Sequence, residues 1–226
     1  MGPEPQQTAD LGVAGSSARK TFERRHAARE ERVKGILGDV LGGVVLAITD
    51  DPQSTKAWRV GAVGEEKLAR ALSGIAGIRT LHDRRIPGTR GNIDHIIVAP
   101  AGVFVVDAKN YKGLIAVRDR GGLFQSDLGL FVGRRDCSKL ADNMDWQCTA
   151  VTRVIQGLGL MPQPAVTGVL CFVDGEWPLL MAPESYKGVR LEGTRSIRRL
   201  ISSKQSLDHD GIALLAQAIA VALPPQ

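Results

Sequence analysis

The segment from Asn92 to Lys109, NIDHIIVAPAGVFVVDAK, limits the possible folds most, because it sets charges inside an otherwise apolar hairpin. The β-branched runs Ile96 to Val98 and Val103 to Val106 flank the turn signal Pro100-Ala101-Gly102, which predicts antiparallel strands over 92–99 and 103–109. An ionised carboxylate in such surroundings is costly unless something pairs with it. Asp94, Asp107 and Lys109 therefore call for an explanation.

Side chains alternate along a strand, so Asp107 and Lys109 share a face, roughly 6 to 7 Å apart along the backbone. A loop over Ala99 to Gly102 pairs Val98 with Val103 and sets Asp94 opposite Asp107, with Cβ atoms ~5 Å apart. Like charges so placed repel. A divalent cation resolves the conflict, since Mg²⁺ takes oxygens from one or two carboxylates and keeps waters for chemistry. A loop one residue shorter, without a glycine bulge, would send the two acids to opposite faces. The competing reading makes both aspartates solvated strand-end residues.

Three further blocks stand around this hairpin: GAVGEEKLARAL at 61–72, NYKG running on to 113, and Gln147 in a following helix. With GNIDHIIV (91–98) and GVFVVDAK (102–109), they resemble the nuclease-related domain family, NERD, of the PD-(D/E)xK nuclease superfamily. The resemblance runs from about Trp58 to Val173. It implies a restriction-endonuclease-like α/β core, a mixed central β-sheet flanked by helices. It also implies a nuclease, an endonuclease-like hydrolase that cleaves phosphodiester bonds of nucleic acid, DNA above all. Mg²⁺ or Mn²⁺ would be held by Asp94, Asp107, the Ala108 carbonyl and Glu65, with Lys109 orienting or deprotonating a water and Gln147 buttressing the site. A depressed Lys109 pKa would suit proton transfer. The rival expectation is a noncatalytic nucleic-acid-binding or scaffold protein that keeps the fold.

Helical spacing supports two of these positions independently. Leu68, Ala69 and Leu72 lie at i+3, i+4 and i+7 from Glu65, so Glu65 faces the core. First-turn compensation of the helix dipole is the other reading of that glutamate. Gln147 falls in the stripe Leu140, Met144, Val151, Val154 and Leu158 of a helix predicted over 138–157, where it must find hydrogen bonds, as a core amide or as a functional one. The same alternation sends His95 to the face opposite Asp94, and His82 reads as part of a polar strand end.

The net charge of +5 and pI near 9.3 suit a polyanionic partner. Arg84, Arg85, Arg90 and Lys112 are the candidate phosphate contacts, and Arg195, Arg198, Arg199 and Lys204 form a second basic run. Aromatic content of 4% gives little support to a base-stacking platform. No Ser-His-Asp arrangement, Walker loop, zinc-type cluster or dinucleotide motif is visible. Cys137, Cys148 and Cys171 are widely spaced, which suggests reduced thiols and a cytoplasmic setting.

The expected organisation is a disordered terminus over 1–17, a charged helical arm with an apolar linker over 18–57, the nuclease-like domain over 58–205, and a C-terminal helix and tail over 206–226. The opening residues lack the pattern of a signal peptide. The apolar part of 35–50 is short, glycine-rich and interrupted by Asp39, so no membrane span is expected. The order predicted after Trp58 is a helix (59–73), strands near 78–82, 92–99, 103–109, 114–118 and 123–132, the helix at 138–157, a strand at 166–173, a turn at Gly175 to Pro178, and helices near 195–203 and 207–222.

Overall fold

A computed structural model describes residues 10–48, 52–89, 91–121, 125–203 and 207–226, with helix backbone only for some positions in 37–56. Two helices lead, α1 (Ser16–Ile48) and α2 (Gln53–Leu72). Strands β1 (Arg79–Arg85), β2 (Asn92–Ala99), β3 (Gly102–Lys109), β4 (Gly113–Asp119), β5 (Leu128–Val132) and β6 (Arg135–Asp136) follow. Next come α3 (Ser138–Asp142), α4 (Met144–Gly157), β7 (Val166–Phe172), β8 (Gly175–Glu176), β9 (Ser185–Tyr186), β10 (Val189–Glu192), α5 (Thr194–Ile201) and α6 (His209–Ala222).

The main sheet has six strands in the order β1-β2-β3-β7-β10-β9, and a smaller sheet runs β6-β5-β4-β8. Strands β3, β7 and β10 are parallel while β1, β2 and β9 pair antiparallel, so the central sheet is mixed. Alternation along β3 separates two cores. Phe104, Val106 and Ala108 pack with Leu68 and Leu72 of α2 and Ile197 and Ile201 of α5. Val103 and Val105 pack on the other side with Met144, Val151 and Ile155 of α4, Leu215 and Ile219 of α6, and Ile115 and Leu130 of the small sheet. Helices thus cover both faces, as an α/β fold with buried parallel strands requires.

The hairpin register is the expected one. Val98 pairs with Val103, and Ala99 also pairs with Gly102, so the turn narrows to Pro100-Ala101. Gly102, at φ +129, makes that turn with an adopted backbone few side chains tolerate.

Other expectations need correction. Residues 10–17 are not a loose terminus: Leu11 O accepts from His82 N, and Ser16 and Ser17 both donate to Asp83. Residues 1–9 lie outside the described residues. The helix predicted over 138–157 divides at Asn143, whose amide bonds back to Lys139 O while α4 starts afresh at Met144. Gly175 and Glu176, read as a turn, pair in parallel with Gly113 and Leu114. The C-terminal helix α6 is part of the main core, packing on β1, β2 and α4. Among the described residues no helix is long and apolar enough to cross a membrane.

Candidate functional site

Three aspartates stand at one level of three adjacent strands. On β1 and β2 the pairs His82–His95 and Arg84–Ile93 bracket Asp83 and Asp94. On β2 and β3 the last pair is His95–Val106, and the same register continued one step brings Asp94 to Asp107. Asp83 has φ +50, a left-handed conformation that aspartate tolerates better than most residues, and the β1–β2 ladder is interrupted there.

Asp94 and Asp107 face each other as the register requires. Burial first, then the Asp107 and Glu65 carboxylates, hold the Asp94 carboxyl well above its ordinary range. Asp107 is 7% exposed, and its Oδ1 lies 2.5 Å from Lys109 Nζ. That oxygen is fully buried and carries no hydrogen bond of acceptable geometry. Burial pulls the Lys109 pKa down, but Asp107 and Asp94 outweigh it and leave the ammonium above its ordinary value. The two facing carboxylates hold the Lys109 proton in place; the depressed pKa expected from the sequence was that of a lysine beside a bound cation.

Glu65 reaches this group from the α2 layer, past the end of β3. The approach is close because residue 64 is glycine: a Cβ there would lie 2.9 Å from Asn110 Cβ. Asn110 Nδ2 donates to Val60 O and ties the strand end to the same helix. Glu65 is 6% exposed, beside the buried Leu68 and Leu72, as the helical period indicates. Its Oε2 accepts from the Gly15 amide at 3.0 Å. Burial, with the Asp83 charge behind it, pushes its pKa up to about 7.

A cleft of about 640 Å³ opens over these residues. Glu65, Asp94, Ala108 and Lys109 line it, together with Ser17 and Ala18 of α1 and with Tyr111, Lys112 and Arg135. The donors suit a hard cation: carboxylate oxygens and a backbone carbonyl, with Asp107 Oδ1 buried and held only by its ion pair to Lys109. Among the described residues no three His, Cys, Asp or Glu side chains gather into a ready cage, although Glu65 is near enough for its charge to bear on Asp94. Two carboxylates with waters completing the shell match the habit of Mg²⁺.

The remaining sequence candidates divide. Gln147 is buried, but its Nε2 donates only to Asn143 O of its own helix, and the cleft lining does not include it. Its Oε1 is buried without a partner. Arg84 is no phosphate contact. It is fully buried, and its guanidinium donates to Leu223 O at 2.6 Å, Ala220 O at 2.7 Å and Asp10 O at 2.7 Å, capping the C-terminus of α6. Arg85 and Lys112 are exposed, and Arg90 lies outside the described residues. Of the later basic run, Arg198 donates to Ala71 O and Lys204 lies outside the described residues. His82 and His95 are a packed pair, Nδ1 to Nδ1 2.8 Å apart, with burial lowering both pKa values.

Sequence reasoning missed Asp83, Asn92 and Arg135. Arg135 stands 4.2 Å over the Tyr111 ring, which holds its charge at the cleft. Asp83 takes Asn92 Nδ2 at 2.9 Å along with the α1 serines.

A mixed sheet flanked by helices, carrying a paired-carboxylate and lysine group at the ends of an antiparallel hairpin, defines the class of nuclease-like α/β folds. Residues 60–173, half of the chain, match the nuclease-related domain family, and the chain belongs to that family, NERD. No curated protein and no solved structure matches it.

Proposed function

We propose that this chain is a metal-dependent nuclease that hydrolyses phosphodiester bonds, with DNA as substrate. The observation that carries the reading is the facing of Asp94 and Asp107 with Lys109 Nζ 2.5 Å from Asp107, beside a cleft that Asp94 and Lys109 line and Asp107 backs. Mg²⁺ or Mn²⁺ held by Asp94, Asp107 and the Ala108 carbonyl would polarise a phosphoryl oxygen and acidify a water. Glu65, which lines the same cleft and bears on Asp94, would complete the ligand set directly or through water.

The protein's own groups supply the rest. Lys109 carries its proton at neutral pH, so it donates to the attacking water or a phosphoryl oxygen and offsets charge in the transition state. Lys112, Arg135 and Arg85 give the cleft and its surroundings a positive edge for the phosphate backbone. Arg85 pairs across the ladder with Asn92, which lines the cleft.

The test is Mg²⁺-dependent cleavage of plasmid and linear DNA, with Asp107→Ala and Lys109→Ala beside the wild-type chain. Cleavage that both substitutions abolish supports the assignment. Cleavage that survives both removes it from this site, and DNA binding without cleavage favours a noncatalytic binding protein.

A further inference from the structure

We propose that Asp83 is a positioning residue: it seats residues 15–18 as one wall of the cleft and, through the Gly15 amide, orients Glu65 toward the Asp94–Asp107 pair. The proposal rests on the nuclease reading above. The segment that Asp83 seats, residues 15–18, lies before the family match at residues 60–173.

The seating is built from both ends. Asp83 is fully buried, and its Oδ2 accepts from Ser16 Oγ at 2.5 Å and from the Ser17 amide at 2.5 Å. Its Oδ1 accepts from Asn92 Nδ2, and that amide also reaches Ser17 Oγ at 3.3 Å. A carboxylate at a helix N-terminus satisfies amides that have no partner within the helix. Here the start of α1 is pinned to the level of the sheet where Asp94 sits. Asp83, at φ +50, directs its Oδ2 to the start of α1.

Close approach on the other side requires glycine. Gly15 has φ +74, and a Cβ there would meet Ala62 O of α2 at 3.1 Å. Gly12 is tighter still, since a Cβ would stand 2.2 Å from His82 O. The segment thus threads between β1 and α2, with Ala14 and Ala18 buried and Arg19 paired to Glu66. What it delivers to the site is specific. Gly15 N holds Oε2 of Glu65, and Oε1 carries no hydrogen bond among the described residues, while Ser17 and Ala18 face the cleft. A brace serving stability alone would have no need to end on the one glutamate of that cleft.

The experiment uses full-length protein carrying Asp83→Asn, with Ser16→Ala as the milder variant should the first fail to fold. Lys20→Ala, which removes a contact to Gln226 O only, is the control. Three readouts are taken: hydrogen exchange at the Gly15 and Ser17 amides, Mn²⁺ affinity by calorimetry, and the separate values of kcat and KM. The expected result is exchange faster by about tenfold, Mn²⁺ affinity lower by about tenfold, and a fall in kcat larger than the rise in KM. Ser16→Ala should move each readout the same way by less, and Lys20→Ala should move none. Mn²⁺ affinity and kcat within twofold of wild type, with the amides loosened, would overturn the positioning role and leave the nuclease reading standing. A rise in kcat would overturn it too, making the segment an obstructing lid. No Mn²⁺ uptake by the wild-type chain would sink the nuclease reading itself, and this proposal with it.

Discussion

Lys109 Nζ lies 2.5 Å from Asp107 Oδ1, two residues earlier on the same strand face, and it is the cation nearest the facing carboxylates of Asp94 and Asp107. Removing it leaves two acids in contact with nothing to offset them. Breaking a fully buried pair costs about 3–5 kcal/mol, but Lys109 keeps 22% of its side chain exposed, so about 2–3 kcal/mol is expected for Lys109→Ala. Millimolar Mg²⁺ should restore much of that loss, because the ion replaces the missing positive charge. Urea unfolding with and without Mg²⁺ reads both numbers; a loss that Mg²⁺ leaves unchanged would mean the carboxylates do not share an ion.

Stability should depend on pH with a defined sign. Glu65 is raised to about 7 from 4.5, chiefly by burial, and Asp94 is raised in the same direction. A raised acid binds its proton more tightly in the folded chain than in the unfolded one. The resulting stability is fully present below the unfolded pKa and is lost as pH rises through the folded one. Without metal, the chain should therefore lose about 2–3 kcal/mol between pH 4.5 and pH 7.5 from Glu65 alone. Glu65→Gln should flatten part of that slope, leaving the share due to Asp94. Chemical unfolding across this range checks it, and an equal slope in the variant would place the titration elsewhere.

Arg84 and Arg85 are adjacent in sequence and should behave oppositely. Arg84→Ala strands two buried carbonyls, Leu223 O and Ala220 O, loses the contact to Asp10 O and removes the cap of α6, so a loss of about 3–4 kcal/mol is expected. Arg85→Ala and Lys112→Ala change exposed side chains, and melting should stay within about 0.5 kcal/mol of wild type. Each should instead reduce the salt slope of DNA binding by about 1. Melting curves and binding titrations over a range of salt separate the two behaviours.

What the sequence made legible follows from how local each signal is. The β2–β3 hairpin carries its own turn chemistry and two β-branched runs, so its strands, register and facing acids could be read from eighteen consecutive letters. The helical period likewise identified Glu65 as core-facing. Arg84 could not be read that way. Its partners Ala220 and Leu223 lie more than a hundred residues away, and an arginine in a basic run looks the same whether it meets phosphate or helix carbonyls. Asp83 was missed for the same reason, since its donors are at 16 and 17. Strand β10 had a local signal that went unused: Val189, Arg190, Leu191 and Glu192 alternate between glycines at 188 and 193. The turn reading of Gly175 and Glu176 overlooked a parallel partner more than sixty residues earlier.

Gly64 tests whether the distance between α2 and the end of β3 governs the site. In a helix interior, alanine is favoured over glycine by about 1 kcal/mol, so Gly64→Ala has a gain to set against any clash. The new Cβ would stand 2.9 Å from Asn110 Cβ and 3.3 Å from Asn110 N, atoms fixed to the backbone just beyond Lys109. One side or the other must move by a few tenths of an ångström, and Glu65 is the next residue of the helix. Since the two terms oppose, net stability should change by under about 1 kcal/mol. Mn²⁺ affinity and cleavage should nevertheless fall, because a small displacement near catalytic groups is costly even where folding absorbs it. A variant that keeps full Mn²⁺ affinity and activity would show that the Glu65 position is not set by this approach.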